Sequence, residues 1–128
     1  MTKTKTHRLG DLQLRIMKVL WDRAEATVAE VHEAVGADDG LAYTTVATML
    51  RKMETRGLLE HRNEGRSFVY RPLVAADEVT RSMADHLVDR LFEGSLANMV
   101  THLLATRDVS REELKQLERL IAERKKKA

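Results

Sequence analysis

Thr44, Thr45 and Thr48, followed one turn later by Arg51 and Lys52, are the side chains of this sequence best suited to recognising another molecule. A threonine hydroxyl can hydrogen-bond a base edge, and its methyl can rest against the methyl of thymine. Arginine and lysine farther along the same face carry the charge that phosphate oxygens attract, and Arg62, Arg66 and Ser67 offer the same chemistry beyond a glycine. Tyr43, just before the threonines, serves either as a backbone contact or as packing. Covalent chemistry is poorly provided for. There is no phosphate-cradling glycine loop, nucleophile elbow or paired-histidine metal motif, and Ser67, Ser82, Ser95 and Ser110 have no base nearby in sequence. The histidines at 7, 32, 61, 86 and 102 are scattered, and Asp85, His86 and Asp89 are expected to be a solvated charge cluster rather than a metal site. With no cysteine in the chain, thiolate sensing of Cu(I) or zinc is excluded. No cofactor is expected.

The elements that hold these residues follow from hydrophobic spacing. Val46, Met49, Leu50 and Met53 recur at helical intervals, which buries one face and turns the threonines, Arg51 and Lys52 outward. Gly57 ends that helix. Leu58 to Arg62 and Arg66 to Arg71 then form two strand-like runs joined by Asn63-Glu64-Gly65, and Pro72 stops the second. Upstream, Asp11 is a plausible cap for a helix with Leu12, Ile16, Val19 and Leu20 on one face and Trp21 packing near its end. Thr27 and Glu30 make a capping-box pattern for a second helix, with Val28, Val31 and Val35 inward and Gly36 as its stop. Ala37-Asp38-Asp39-Gly40 is expected to be a loop. Helix, helix, helix, hairpin is the order of a winged helix that reads DNA.

Charge agrees with that shape. Residues 41–71 hold six Arg or Lys against three acids, an excess larger than the net +2 of the whole 128-residue chain. Residues 11–40 and 72–110 are both acidic on balance. Positive charge is thus concentrated where a phosphate-binding footprint would need it.

Beyond Pro72 the pattern is helical throughout. Val79, Met83, Leu87 and Leu91 form one stripe; Leu96, Met99, Val100, Leu103 and Leu104 a second; Leu114, Leu117, Leu120 and Ile121 a third, after a capping pair of Ser110 and Glu113. About 55 residues are too few to cover three apolar faces within one chain, so this part is expected to complete its core against a second copy. The expected domains are therefore 1–72, a winged-helix DNA-binding domain, and 73–128, a helical dimerisation domain. The expected dimer interface comprises Met83, Leu87, Leu91, Leu96, Met99, Val100, Leu103, Leu114, Leu117, Leu120 and Ile121. The closing run Arg124-Lys125-Lys126-Lys127 is either a solvated end or a contact for DNA or acidic groups.

The segment TTVATMLRKMETRGLLEHRNEGRSFVYRP resembles the signature of the penicillinase-repressor family. The likeness extends to LGDLQLRIMKVLWDR upstream and LFEGSLANMVTHLL downstream, so it covers nearly the whole chain. It implies a mainly α fold with a small β-hairpin wing: a winged helix-turn-helix domain plus a three-helix C-terminal dimerisation domain. It also implies a homodimeric repressor of a near-palindromic double-stranded DNA operator. The family's recognition positions fall on Thr44, Thr45 and Thr48, but Ala47 departs from members with a longer polar residue there, so the operator sequence does not carry over. Family members inactivated by a signalling protease are cut at an Asn-Phe bond; His102-Leu103 stands at that place here, which makes it the candidate cleavage site if release is proteolytic and a protease the second partner. The alternative is a ligand- or metal-responsive winged-helix regulator released by an effector; a winged helix used only for protein contact and an enzyme rank lower.

Met1 to Gly10 is polar and basic, without the apolar core of a secretory signal, and no apolar run is long enough to span a membrane. With the lack of cysteine, this makes a cytoplasmic protein with no membrane partner the expectation.

Overall fold

The computed structural model describes residues 7–36 and 39–128. Ala37 and Asp38 of the expected loop lie outside the described residues. The chain divides into two units, Met1–Ala84 and Asp85–Ala128.

The first unit begins with α1 (Asp11–Arg23), β1 (Ala26–Thr27), α2 (Val28–Val35) and α3 (Tyr43–Thr55). The hairpin β2 (Leu59–Glu64) and β3 (Ser67–Pro72) follows, and then the first half of α4 (Ala76–Phe92). Gly10, not Asp11, precedes the first turn of α1, and its N–H donates to Oε1 of Gln13 at 3.1 Å. Asp11 is instead the first helical residue, where a carboxylate still meets the positive end of the helix. The capping box of α2 is as expected: Glu30 N donates to Thr27 Oγ1 at 3.2 Å and Thr27 N to Glu30 Oε1 at 2.8 Å. The hydrogen bond from the Thr27 backbone, ahead of that from its side chain, holds the Glu30 carboxyl below the usual range. At the end of α3, Gly57 N donates to Glu54 O and Leu58 N to Met53 O. That is the double bond of a Schellman stop, and Gly57 takes the required left-handed backbone at φ +80°.

The core is built from one face of each element: Ile16, Met17 and Leu20 of α1, Val31 and Val35 of α2, and Val46, Leu50 and Met53 of α3. Leu59, Tyr70 and Val79 of the later elements close it. Leu12, Val19, Val28 and Met49, on the faces expected from spacing, are only partly buried at its edge. Met17 joins the core because the apolar stripe of α1 is wide enough to bury two successive residues.

Among the described residues the sheet has three strands in the order β1-β3-β2, all antiparallel. β1 was not foreseen: two residues carry no alternation, and Ala26 and Thr27 become a strand only by pairing with Tyr70 and Val69. The turn is also shorter than expected. Asn63 pairs with Phe68 and Glu64 with Ser67, leaving Gly65 and Arg66 as a two-residue connection. Gly65 at φ +62° supplies the positive first position that tight hairpins favour.

The first unit runs past Pro72. Trp21 Nε1 donates to Val74 O at 2.8 Å, Val79 is fully buried, and Val74 and Met83 pack on the core. His7 N also donates to Ser82 Oγ at 2.8 Å. Val79 and Met83 thus place the start of α4 with the core of the first unit.

In the second unit Gly94, at φ +80°, ends the helix by donating to Val88 O. Ser95 Oγ accepts from Asn98 N to start α5 (Leu96–Thr106), and Ser110 Oγ accepts from Glu113 N to start α6 (Arg111–Lys127). Neither α5 nor α6 fully buries any residue. Among the described residues no helix is long and apolar enough to cross a membrane, and no group of three His, Asp or Glu could hold a metal ion.

Candidate nucleic-acid interface

Burial of Val46, Leu50 and Met53 leaves Thr44, Thr45, Thr48, Arg51 and Lys52 exposed together on the far side of α3. The start of that helix is fixed from α2. His32 Nε2 lies 2.7 Å from Leu41 O, its ring meets Tyr43 edge-on at 5.8 Å, and Leu41 N donates to Gly36 O at 2.9 Å. The fit is close: a Cβ on Gly36 would stand 2.6 Å from Leu41 Cβ. Gly36 therefore does more than stop α2, because its missing side chain lets the approach to α3 fold back against it.

On the wing, Arg66 occupies the turn and Ser67 begins β3, both exposed. With Tyr43, Thr27, Val28, Ala29 and Phe68 they line an open cleft of about 230 Å³. Tyr43, half exposed, and the wing tip thus face a common space although they are far apart in sequence.

The basic residues of this region have different surroundings. Arg62 donates to both carboxylate oxygens of Glu25, at 2.5 and 3.0 Å, and to Glu64 at 2.7 Å. Its hydrogen bond lowers the pKa of Glu25, and the two carboxylates in turn raise that of the guanidinium. Arg71 pairs with Glu60, while Arg56 donates to Gln13 Oε1 and to Arg8 O, both at 3.1 Å. Among the described residues Arg51, Lys52 and Arg66 make no ion pair; Arg51 only reaches Thr48 Oγ1 at 3.3 Å. Half of the positive charge that marks the segment in sequence is engaged within the fold.

Sequence reasoning missed Glu25, His32, Glu54 and His61. Each acts through a partner in another element or through a carbonyl, which the periodicity of its own element does not reveal. His61 Nδ1 lies 2.7 and 2.9 Å from the two carboxylate oxygens of Glu54, joining β2 to α3. Tyr70, buried behind them, has its hydroxyl pKa raised by desolvation and secondarily by the Glu54 charge.

Of the expected interface residues in the C-terminal part, Met83 packs against the core of the first unit. Leu87, Leu91, Leu96, Val100, Leu114, Leu120 and Ile121 are exposed; Met99, Leu103 and Leu117 are partly buried in a groove between α5 and α6. His102-Leu103 lies inside α5, with Thr106 Oγ1 donating to His102 O and Arg107 N to Leu103 O.

A family model described as the penicillinase repressor matches residues 9–123. The chain belongs to the penicillinase repressor family. Relatives in that family include the penicillinase repressor of Bacillus licheniformis, 29% identical over 121 residues that make up 94% of each chain. The transcriptional regulator BlaI of Mycobacterium tuberculosis (strain H37Rv) is 36% identical over 121 residues, 93% of this chain and 86% of that one. Among solved structures, the solution structure of the DNA binding domain of the repressor BlaI is 30% identical with a TM-score of 0.51, covering 59% of this chain and 93% of that one. The YusO protein from Bacillus subtilis, 18% identical with a TM-score of 0.51 over 94% of this chain and 77% of that one, shares the fold. The winged-helix architecture expected of a penicillinase repressor is the one observed, with β1 as a third strand.

Proposed function

We propose that this chain is a dimeric transcriptional repressor that binds a near-palindromic double-stranded operator, α3 reading base edges in the major groove and the wing holding the flanking backbone. The observation that carries the reading is the exposed row Thr44, Thr45, Thr48, Arg51 and Lys52 on a helix whose opposite face is buried, beside the equally exposed Arg66 and Ser67. The threonines are assigned to bases and the cations, with Ser67, to phosphates. Tyr43 is assigned to the backbone, because its ring lines the cleft under the wing tip. The relatives are named as repressors and transcriptional regulators, which supports a binding protein rather than an enzyme.

Dimerisation is assigned to the C-terminal helices. Leu91 and Leu96 are more than three-fifths exposed and Leu120 and Ile121 more than half, an apolar surface that a second copy would bury. Two linked readers would gain from an effective concentration of order mM for the second half-site. Release by a protease at His102-Leu103 requires α5 to open, since a protease cleft takes extended backbone and this bond is helical. A dissociable effector is the competing mode of release.

The test is a salt-titrated binding measurement on duplexes selected by the full chain from a random pool, with sedimentation at the same concentrations. Salt-dependent, sequence-selective binding by a dimer is expected; tight binding by a monomer would remove the dimer, and equal affinity for every duplex would remove the base reading.

A further inference from the structure

The wing is a cantilever. Among the described residues β1 pairs with β3 only at Tyr70 and Val69, and beyond Arg62 and Val69 the hairpin is a two-stranded ribbon with no further strand beside it. Two-stranded ribbons are weak alone and twist readily. Two contacts grip this one at its root, from opposite faces. On one face Arg62 holds Glu25. On the other, His61 holds Glu54 of α3 through both carboxylate oxygens.

The His61 contact is the better built of the two. Its ring stacks on Phe68 at 4.1 Å between centroids and 20° between planes, and it lies 5.5 Å from Tyr70, its cross-strand partner. The stack fixes the ring plane and the carboxylate fixes the direction of Nδ1. Both partners are roughly 30% exposed, whereas Arg62 and Glu25 are nearly half exposed. A hydrogen bond to a carboxylate in that partly sheltered setting is screened less by solvent.

Resting on the duplex-binding reading above, we propose that the Glu54–His61 contact sets the angle between the wing and the recognition helix, making both positioning residues for the Arg66 contact with the DNA backbone. Gly65 is four positions beyond His61, so the turn stands on the order of 13 Å beyond the contact at ~3.3 Å per residue. A tilt of about 10° at the root then moves Arg66 by about 2 Å, enough to break a hydrogen bond to a phosphate oxygen. Glu54 lies on α3 itself, so the wing is referenced to the element that enters the groove rather than to the rest of the fold.

The test is a double-substitution cycle on the full chain. His61→Ala, Glu54→Ala and Glu54→Gln are each made with and without Arg66→Ala, and binding is measured against salt on a random-sequence duplex and a pool-selected one, with thermal melting of every variant. In the unsubstituted chain Arg66→Ala is expected to lower the slope of log affinity against log salt by about 0.9 for each protomer on the duplex, hence about 1.8 for a dimer. In His61→Ala and Glu54→Ala the slope starts lower and Arg66→Ala removes less than about half as much. Glu54→Gln, which keeps an acceptor for Nδ1–H, restores full sensitivity to Arg66→Ala, while the preference read by Thr48 is unchanged throughout. Stable His61→Ala protein that loses as much from Arg66→Ala as the unsubstituted chain does would overturn the proposal and leave duplex binding intact. If His61→Ala does not fold, the contrast between Glu54→Ala and Glu54→Gln decides in the same way. Failure of the unsubstituted chain to bind either duplex would remove the underlying reading as well.

Discussion

Arg62 is bound to Glu25 through two guanidinium nitrogens, and one of these also reaches Glu64. The residue that sequence marks as a wing phosphate contact is therefore partly neutralised by two carboxylates, while Arg66 at the turn makes no ion pair among the described residues. Arg62→Ala is expected to lower the salt slope of duplex binding by less than half of what Arg66→Ala removes, which is roughly one unit per bound protomer. Glu25→Gln, which frees Arg62 while the Glu54–His61 contact still holds the wing, should tighten binding to random duplex. Equal slopes for the two arginine variants would show that Arg62 leaves Glu25 for phosphate on binding.

The threonines should behave differently from the cations. Thr44→Ala or Thr48→Ala is expected to change which selected duplex is preferred, by about 1–3 kcal/mol at the affected base pair, with little effect on random duplex. Arg51→Ala should weaken all duplexes alike. Competition binding against single-base operator variants separates the two patterns.

Gly36→Ala tests how the recognition helix is approached. The added Cβ would meet Leu41 at 2.6 Å, so Leu41, its carbonyl bonded to His32 and the start of α3 must all shift. Overpacking of this kind costs about 1–3 kcal/mol. A lower melting temperature together with weaker duplex binding is expected; a variant with the original melting temperature would mean that the loop yields freely.

Tyr70 gives a pH dependence whose sign is fixed by burial. Desolvation, helped by the Glu54 charge, raises its folded pKa above the ordinary value of 10.0. The buried hydroxyl thus favours the folded state less and less as pH climbs through the ordinary tyrosine value toward the raised one, since the unfolded chain ionises first. Its contribution is complete below that window. Tyr70→Phe should flatten the fall in thermal stability above about pH 10 relative to the unsubstituted chain, and identical alkaline profiles would refute the assignment.

Local sequence determined a good deal of this protein. The stripe Val46, Leu50 and Met53 had to bury one face of α3 and so had to expose Thr44, Thr45 and Thr48, because the helical period admits no other arrangement. The box of Thr27 and Glu30 and the stop at Gly57 were likewise visible, since caps are made within a few residues of chain. What only the tertiary structure decided depends on partners far apart. β1 exists because β3 offers it an edge, and Asp11 yields the cap position to Gly10 because the chain turns one residue earlier. Val79 and Met83 of α4 join the first unit by packing on its core, beyond the Pro72 at which the sequence pattern changes. Charge shows the limit most clearly: sequence counts six cations in residues 41–71, but folding brings Glu25 to Arg62 and Gln13 to Arg56, and pairs Glu60 with Arg71 across the hairpin. Composition gives the sum of the charges; which of them remain for DNA is set by distances that only the folded chain defines.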